Sequence, residues 1–334
     1  MNNKMKIIII LGIMRRCIFG WVNGSYNFRT KLSSRQTAML SEALDICNTT
    51  KPTEFHRSIR GIKYLKFWKG TEYRTLILYT GMVVLKDYLD VEVYEHFLVL
   101  SCAVRILSNE LYSKQYISIA EDLLEQYIES FIDIYGIDSI SSNIHNLCHV
   151  IGDVKKFGNL TKISAYSFEN FLGQFKSLLR SGNLPLSQIA KRITEFSKLN
   201  EEYREAQKYP FTRGQCQNIK HEILMCEGVF NKVYLSDNCM LANDEKNKWF
   251  MTTNNEIMAM VNTTYQKNNC FIYASVIEDK FDFFKKPFNS SNLDIYASRA
   301  NLSLPKLIPV SFVKYKIFAM KQQGLTVFVP MLSF

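Results

Sequence analysis

The sequence contains no CxxC pair. Its eight cysteines stand at 17, 47, 102, 148, 216, 226, 239 and 270, scattered through 334 residues. That spread excludes a disulfide framework and a standard zinc knuckle, and it suits reduced, buried thiols. Cys216, His221 and Cys226 come nearest to a cluster, but steps of five residues match no familiar zinc set, so no metal is expected there. Long apolar runs are also missing. The stretch from Ile7 to Met14 follows Lys4 and Lys6 like a leader, yet it is only about eight residues long, too short to cross a bilayer. Arg15 and Arg16 come directly after it, with no small-residue cleavage site. Secretion and membrane attachment are therefore not expected, and the six N-x-[ST] triplets are read as chance products of an Asn-rich chain. There is no internal repeat and no low-complexity tract. With 47% apolar and 22% charged residues, the chain is not a disordered one.

What is present is length and positive charge. The 334 residues suffice for one large or two modest domains. The net charge is +10 and the pI is near 9.1, a surplus that suits a polyanionic partner such as nucleic acid or an anionic membrane, or serves only as solubility charge. The clearest helical period lies between Ile117 and Ile134. There Ala120, Leu123, Leu124, Tyr127, Ile128 and Phe131 recur at three- and four-residue steps, opposite Glu121, Asp122, Glu125 and Glu129. Gly136 is placed to end that helix. Leu76–Leu89 and Val93–Leu107 read as further apolar helices, with Gly81 interrupting or ending the first. Ser33 and Ser34 offer a cap for a helix through Leu40 and Leu44. Another helical run, Leu186 to Gln207, is broken by Pro210. Beyond it, short β-branched and aromatic segments are expected as strands: Lys232–Leu235, Trp249–Thr253, Glu256–Asn262, Cys270–Val276, Leu293–Tyr296 and Thr326–Val329. The expected class is α+β, with a mainly helical region over 1–207 and a small β-rich module over 208–334.

Several linked motifs run through the chain in one order. Residues 11–16 read LGIMRR, 68–74 read WKGTEYR and 78–81 read LYTG. His145-x-Leu147-x-His149 leads to Val154, then to Gly158-Asn159-Leu160, and on to Tyr166-x-Phe168-Glu169-Asn170 with a basic stretch behind it. Phe283-Phe284, Pro287, Ser290-Ser291 and Val327–Met331 follow near the end. This series resembles the C-terminal portion of CACTA/En-Spm-like cut-and-paste transposases, a DDE-type family. The resemblance implies that the helical region is the tail of a ribonuclease-H-like catalytic region. It also marks a departure: a D-x-M-H element precedes LGVMRR in the family, and its Asp and His would fall where Lys4 and Ile7 stand here. The family's two catalytic aspartates lie further upstream. The expectation is a transposase-derived chain that starts after most of the active site and does not catalyse transposition alone.

Phosphodiester cutting by such enzymes uses two Mg²⁺ ions held by clustered carboxylates. The resemblance makes Glu169 the candidate third carboxylate, catalytic and metal-ligating, at the start of a helix over Phe168–Arg180. A first-turn glutamate is equally what the helix dipole favours. One carboxylate would not hold two magnesium ions, so no cofactor is expected for this chain alone, although Mg²⁺ serves the complete family enzyme. Lys155, Lys156, Lys176, Arg180, Lys191 and Arg192 form a basic series around that helix and read either as DNA phosphate contacts or as a solvated face. His145 and His149 share one helix face at a zinc-compatible spacing. An H-E-x-x-H site would need glutamate at 146, where Asn146 stands, so they read as structural histidines held by hydrogen bonds, with Asp153 one turn on. Trp68 reads as a buried anchor beside a surface Lys69–Glu72 pair. Expected partners are DNA and a full-length transposase or a second copy, in the nucleus or cytoplasm. The rival reading is a domesticated protein-interaction module with no nucleic-acid role.

Overall fold

The computed structural model describes residues 6–25, 30–162, 173, 175–203, 208–216, 228–267 and 269–332. It is an α+β structure. Among the described residues, the regular elements up to Tyr203 are helical, and antiparallel strands follow from Phe211.

The first helix, α1 (Lys6–Asn23), carries the apolar run that superficially resembles a leader. Ile10, Ile13, Met14, Cys17, Ile18 and Trp21 are all buried, at steps of three and four residues that place them on one face. The run is a core helix of this fold. Helix α2 (Ser34–Thr49) begins where Ser33 caps it: the Ser33 hydroxyl accepts from the Gln36 amide, and Gln36 accepts in return from the Ser33 amide. Leu40, Leu44 and Cys47 face inward.

Short helices α3 (Gly70–Thr75) and α4 (Gly81–Val84) flank a π-helical turn at Leu76–Thr80. Of the two expectations for Gly81, the run is interrupted rather than ended: the π turn stops at Thr80 and α4 starts at Gly81. Gly81 continues with helical dihedrals, and what it lacks is bulk: a Cβ there would lie 2.5 Å from the Leu76 carbonyl oxygen and 2.6 Å from the Phe97 ring. The bulge and the glycine together let α5 (Val91–Ser108) pack tightly alongside. Helix α5 is buried from Val93 to Ser108 except at Glu95, so it is the central rod of the helical layer. Helix α6 (Glu110–Tyr135) pairs with it. Asn109 caps α6 by accepting from the amides of Leu111 and Tyr112. Its geometry breaks at Tyr116, after which the predicted apolar face packs inward and Gly136, at φ +86°, closes the helix. Helices α7 (Ser142–His145) and α8 (Val150–Phe157) sandwich a 3₁₀ turn at Asn146–His149, and α9 (Pro185–Tyr203) is the last helix before the strands.

The strands are β1 (Phe211–Gln215), β2 (Val229–Ser236), β3 (Cys239–Ala242), β4 (Trp249–Thr252), β5 (Ile257–Gln266), β6 (Asn269–Val276), β7 (Phe281–Asp282), β8 (Tyr296–Ser298), β9 (Lys306–Pro309), β10 (Val313–Gln322) and β11 (Leu325–Pro330). They form an 11-stranded sheet with the order β1-β2-β5-β4-β10-β11-β8-β7. Strand β3 pairs with β2, and β6 bridges β5 and β9. The small module expected from the sequence is thus a large sheet. The expected strand over Leu293–Tyr296 is instead a 3₁₀ turn, Ser290–Leu293, that delivers the chain into β8.

Strand β10, not foreseen as a strand, holds the sheet together. Its start pairs with β4, and the part from Ile317 to Gln322 pairs with β11. Its side chains alternate as a strand requires. Tyr315, Ile317 and Ala319 join Trp249, Met251 and Phe328 on one face. Phe318 and Met320 join the helical core on the other, as do Val327 and Val329 of β11. The helices therefore share a core with one face of β10 and β11, to which Phe283, Phe284, Leu293 and Ile295 also contribute, while the rest of the sheet packs in two clusters of its own, around Phe250 and around Phe328.

Candidate nucleic-acid interface

The six predicted phosphate-contacting cations sit on two groups of elements. Lys155 and Lys156 end α8. Lys176 lies in a helical turn at 175–178, Arg180 follows it, and Lys191 and Arg192 are on α9. Gln188 of α9 accepts from the Arg180 backbone N–H and donates to the Ser181 hydroxyl. These bonds bring the Lys176–Arg180 segment against the first turns of α9, one turn before Lys191.

Two of the six are already paired. Lys155 meets Glu121 at 2.9 Å, and Arg192 meets Glu195 at 2.9 Å. Both pairs are largely solvated, so each contributes little to stability and opens easily to a competing phosphate. Lys156, Lys176, Arg180 and Lys191 are exposed, and none of them forms an ion pair among the described residues. Lys156 lies over the Phe157 ring. Glu169 and the start of its helix lie outside the described residues, as do His221 and Cys226.

The buried ionic groups form a different set, and their partners are structural. Glu72 was expected to pair with Lys69 at the surface. Its carboxylate is instead buried and takes both guanidinium arms of Arg60, at 2.9 and 2.7 Å, together with the amides of Arg60 and Lys69. Burial alone would raise the Glu72 carboxyl; the donors from Arg60 and Lys69 outweigh it and hold the group below the usual carboxylate range. Trp68 is buried beside it, tilted against Tyr73. Lys316 on β10 is fully buried, and its ammonium meets both Glu54 oxygens and Asn247 Oδ1 at 2.7 Å and the Met240 carbonyl at 2.6 Å. Arg105 of α5 is also fully buried and donates to the carbonyls of Leu78 and Pro330. Tyr112 donates to Asp294, which also takes Lys314 at 3.0 Å. The contacts of Lys316, Arg105 and Tyr112 link the helical part of the chain to the strand region.

A second feature was misjudged from sequence. His145 and His149 were expected to be held by hydrogen bonds, but both are exposed, their rings edge to face at 5.6 Å. Cys148 lies between them, exposed, its thiol donating to the His145 carbonyl at 2.9 Å. One donor atom from each of the three lies within 4.8 Å of the others. The signal was an H-x-x-C-H spacing that puts three donors on adjoining turns.

Comparison with known proteins adds a similarity in the sheet region. The profile of a family described as a domain of unknown function, DUF8592, matches residues 216–331. No curated protein matches the chain, and no solved structure does. Among the described residues, no helix is long and apolar enough to cross a membrane.

Proposed function

We propose that this chain is a transposase-derived polypeptide that grips DNA backbone through the cations of α8, the 175–180 segment and α9, and that it does not carry out strand transfer by itself. The observation that carries the reading is the set of four exposed cations, Lys156, Lys176, Arg180 and Lys191, without acidic partners among the described residues. They act within a net charge of +10. Such residues are available to phosphate oxygens at no cost in broken ion pairs. Contacts of this kind fix register on a duplex and carry no sequence information. The helical layer stands for the tail of a ribonuclease-H-like region, and the partner is DNA together with a fuller transposase or a second copy. A paired Mg²⁺ centre would need several converging carboxylates.

Gel shifts at graded salt test the binding. Four phosphate contacts are expected to give a slope of log K against log salt of about −3.6. Replacing Lys156, Lys176, Arg180 and Lys191 by alanine is expected to flatten it by about one unit for each cation removed. Absence of DNA affinity even at low salt would favour the protein-interaction reading. Incubation with Mg²⁺ or Mn²⁺ and labelled transposon ends tests the other half, since efficient cleavage by the purified chain would falsify the inactive reading.

A further inference from the structure

The turn between α7 and α8 presents His145, Cys148 and His149 on one exposed face, with their donor atoms within 4.8 Å of one another. We propose that these three side chains bind one borderline-soft divalent transition metal ion, zinc above all, with a fourth position open to solvent.

The backbone explains why the donors converge. Asn146–His149 is a 3₁₀ turn, in which side chains three apart eclipse. That geometry stacks Cys148 over His145. The chain then passes into α8, so His149 stands beside both. The opposite face of the same turn is anchored: Ile144, Leu147 and Val150 are fully buried and Ile151 nearly so. The ligand-bearing backbone is therefore held by the core while its three side chains stand at the surface, and metal binding replaces the bond from the Cys148 thiol to the His145 carbonyl. In a tetrahedral zinc site, neighbouring donors lie roughly 3.5 Å apart, given Zn–N near 2.0 Å and Zn–S near 2.3 Å. Closing from the observed spacing takes a shift of about 1 Å, within the reach of exposed rotamers.

The chemistry of the donors narrows the ion. Two imidazoles and a thiol suit zinc and its neighbours, whereas Mg²⁺ and Ca²⁺ take oxygen donors. On binding, the Cys148 thiol proton passes to solvent and the thiolate becomes the ligand. Cys148 is exposed, whereas Cys17, Cys47, Cys102 and Cys239 lie buried inside the protein. Three protein ligands leave the fourth position to water or to an anionic group, the arrangement of an open zinc site. This proposal does not depend on the DNA reading, and its test involves no DNA.

The metal-free full-length chain is titrated with Co²⁺ and followed by absorption, then with Zn²⁺ in competition. The expected result is one equivalent bound, with ligand-field bands of tetrahedral intensity and a sulfur-to-cobalt charge-transfer band. Cys148→Ser is expected to abolish that band. His145→Ala and His149→Ala are each expected to weaken binding by about 100-fold or more, beyond what losing a group that only orients a ligand costs. Circular dichroism should be unchanged in all three, because the side chains are exposed, and Cys216→Ser should bind like the parent. Failure to take up stoichiometric metal would overturn the proposal. So would a charge-transfer band that survives in the Cys148→Ser protein or vanishes in the Cys216→Ser protein.

Discussion

His96 shows what burial does to a single titratable side chain. It sits inside the helical pair, stacked on Tyr127 at 4.1 Å, with Nε2 donating to the Tyr127 carbonyl. Burial lowers its pKa from 6.5 to about 4, against the opposing pull of that hydrogen bond. Between those two values the unfolded chain binds the extra proton and the native one does not. Stability therefore rises with pH across this window and falls as the solution is acidified from 6.5 towards 4. The His96 share of that loss is expected to reach about 3 kcal/mol. Urea unfolding at several pH values checks it, and a His96→Phe protein should show a flatter profile. Glu72 acts in the same direction lower on the scale. Its carboxyl is depressed, so its contribution is complete above the ordinary carboxylate value of 4.5 and disappears as pH falls through the folded value. Glu72→Gln removes the charge that Arg60 and the two amides address. A loss of about 2 kcal/mol is expected in chemical denaturation at neutral pH.

At the scale of elements, periodicity was a good guide wherever one face of a helix meets the core and the other meets water. Helix α6 is the clearest instance: Ala120, Leu123, Leu124, Tyr127 and Phe131 are buried while Asp122, Glu125 and Glu129 stay exposed. Helix α5 has no such contrast, because almost its whole circumference is covered. Gly81 marks an interruption whose cause lies outside the local sequence. A glycine in a helical run signals a break when only local propensity is considered. Here it answers a demand from α5, whose Phe97 ring occupies the space a Cβ would need. Gly81→Ala is accordingly expected to destabilise the protein by about 1–3 kcal/mol, although alanine is the better helix former. A thermal melt of that variant measures the sign directly: a raised midpoint would contradict the close approach. Strand β10 escaped notice because lysines at 314, 316 and 321 interrupt its apolar residues. In the fold, Lys316 is neutralised in place by Glu54 from the helical layer.

At the scale of the molecule, the shared core has a mechanical consequence. Arg105 reaches from α5 to the Pro330 carbonyl, Tyr79 accepts from the Leu332 amide, and Glu54 reaches Lys316 across the layers. Phe318, Met320, Val327 and Val329 face helices and would meet water without them. Helices and sheet are therefore expected to unfold in one transition, with calorimetric and van't Hoff enthalpies in agreement. Lys316→Met should cost about 3–5 kcal/mol by stranding the Glu54 carboxylate, and should lower that single midpoint without splitting it. Two separated transitions would show that the layers fold apart.

Sequence alone determined the class of structure, the helix-to-strand order, the capped start of α2 and the glycine-closed end of α6, because those depend on patterns within a few residues. The basic series was legible too, since charge needs no partner to be counted. Whether a cation is spent or available was not, because Glu121 and Glu195 answer Lys155 and Arg192 only in the folded chain. The Arg60–Glu72 pair, the burial of Lys316 and the convergence of His145, Cys148 and His149 were likewise decided by tertiary structure. Each depends on which backbone segments approach in space and on how far water is kept away, and those are properties of the packed whole.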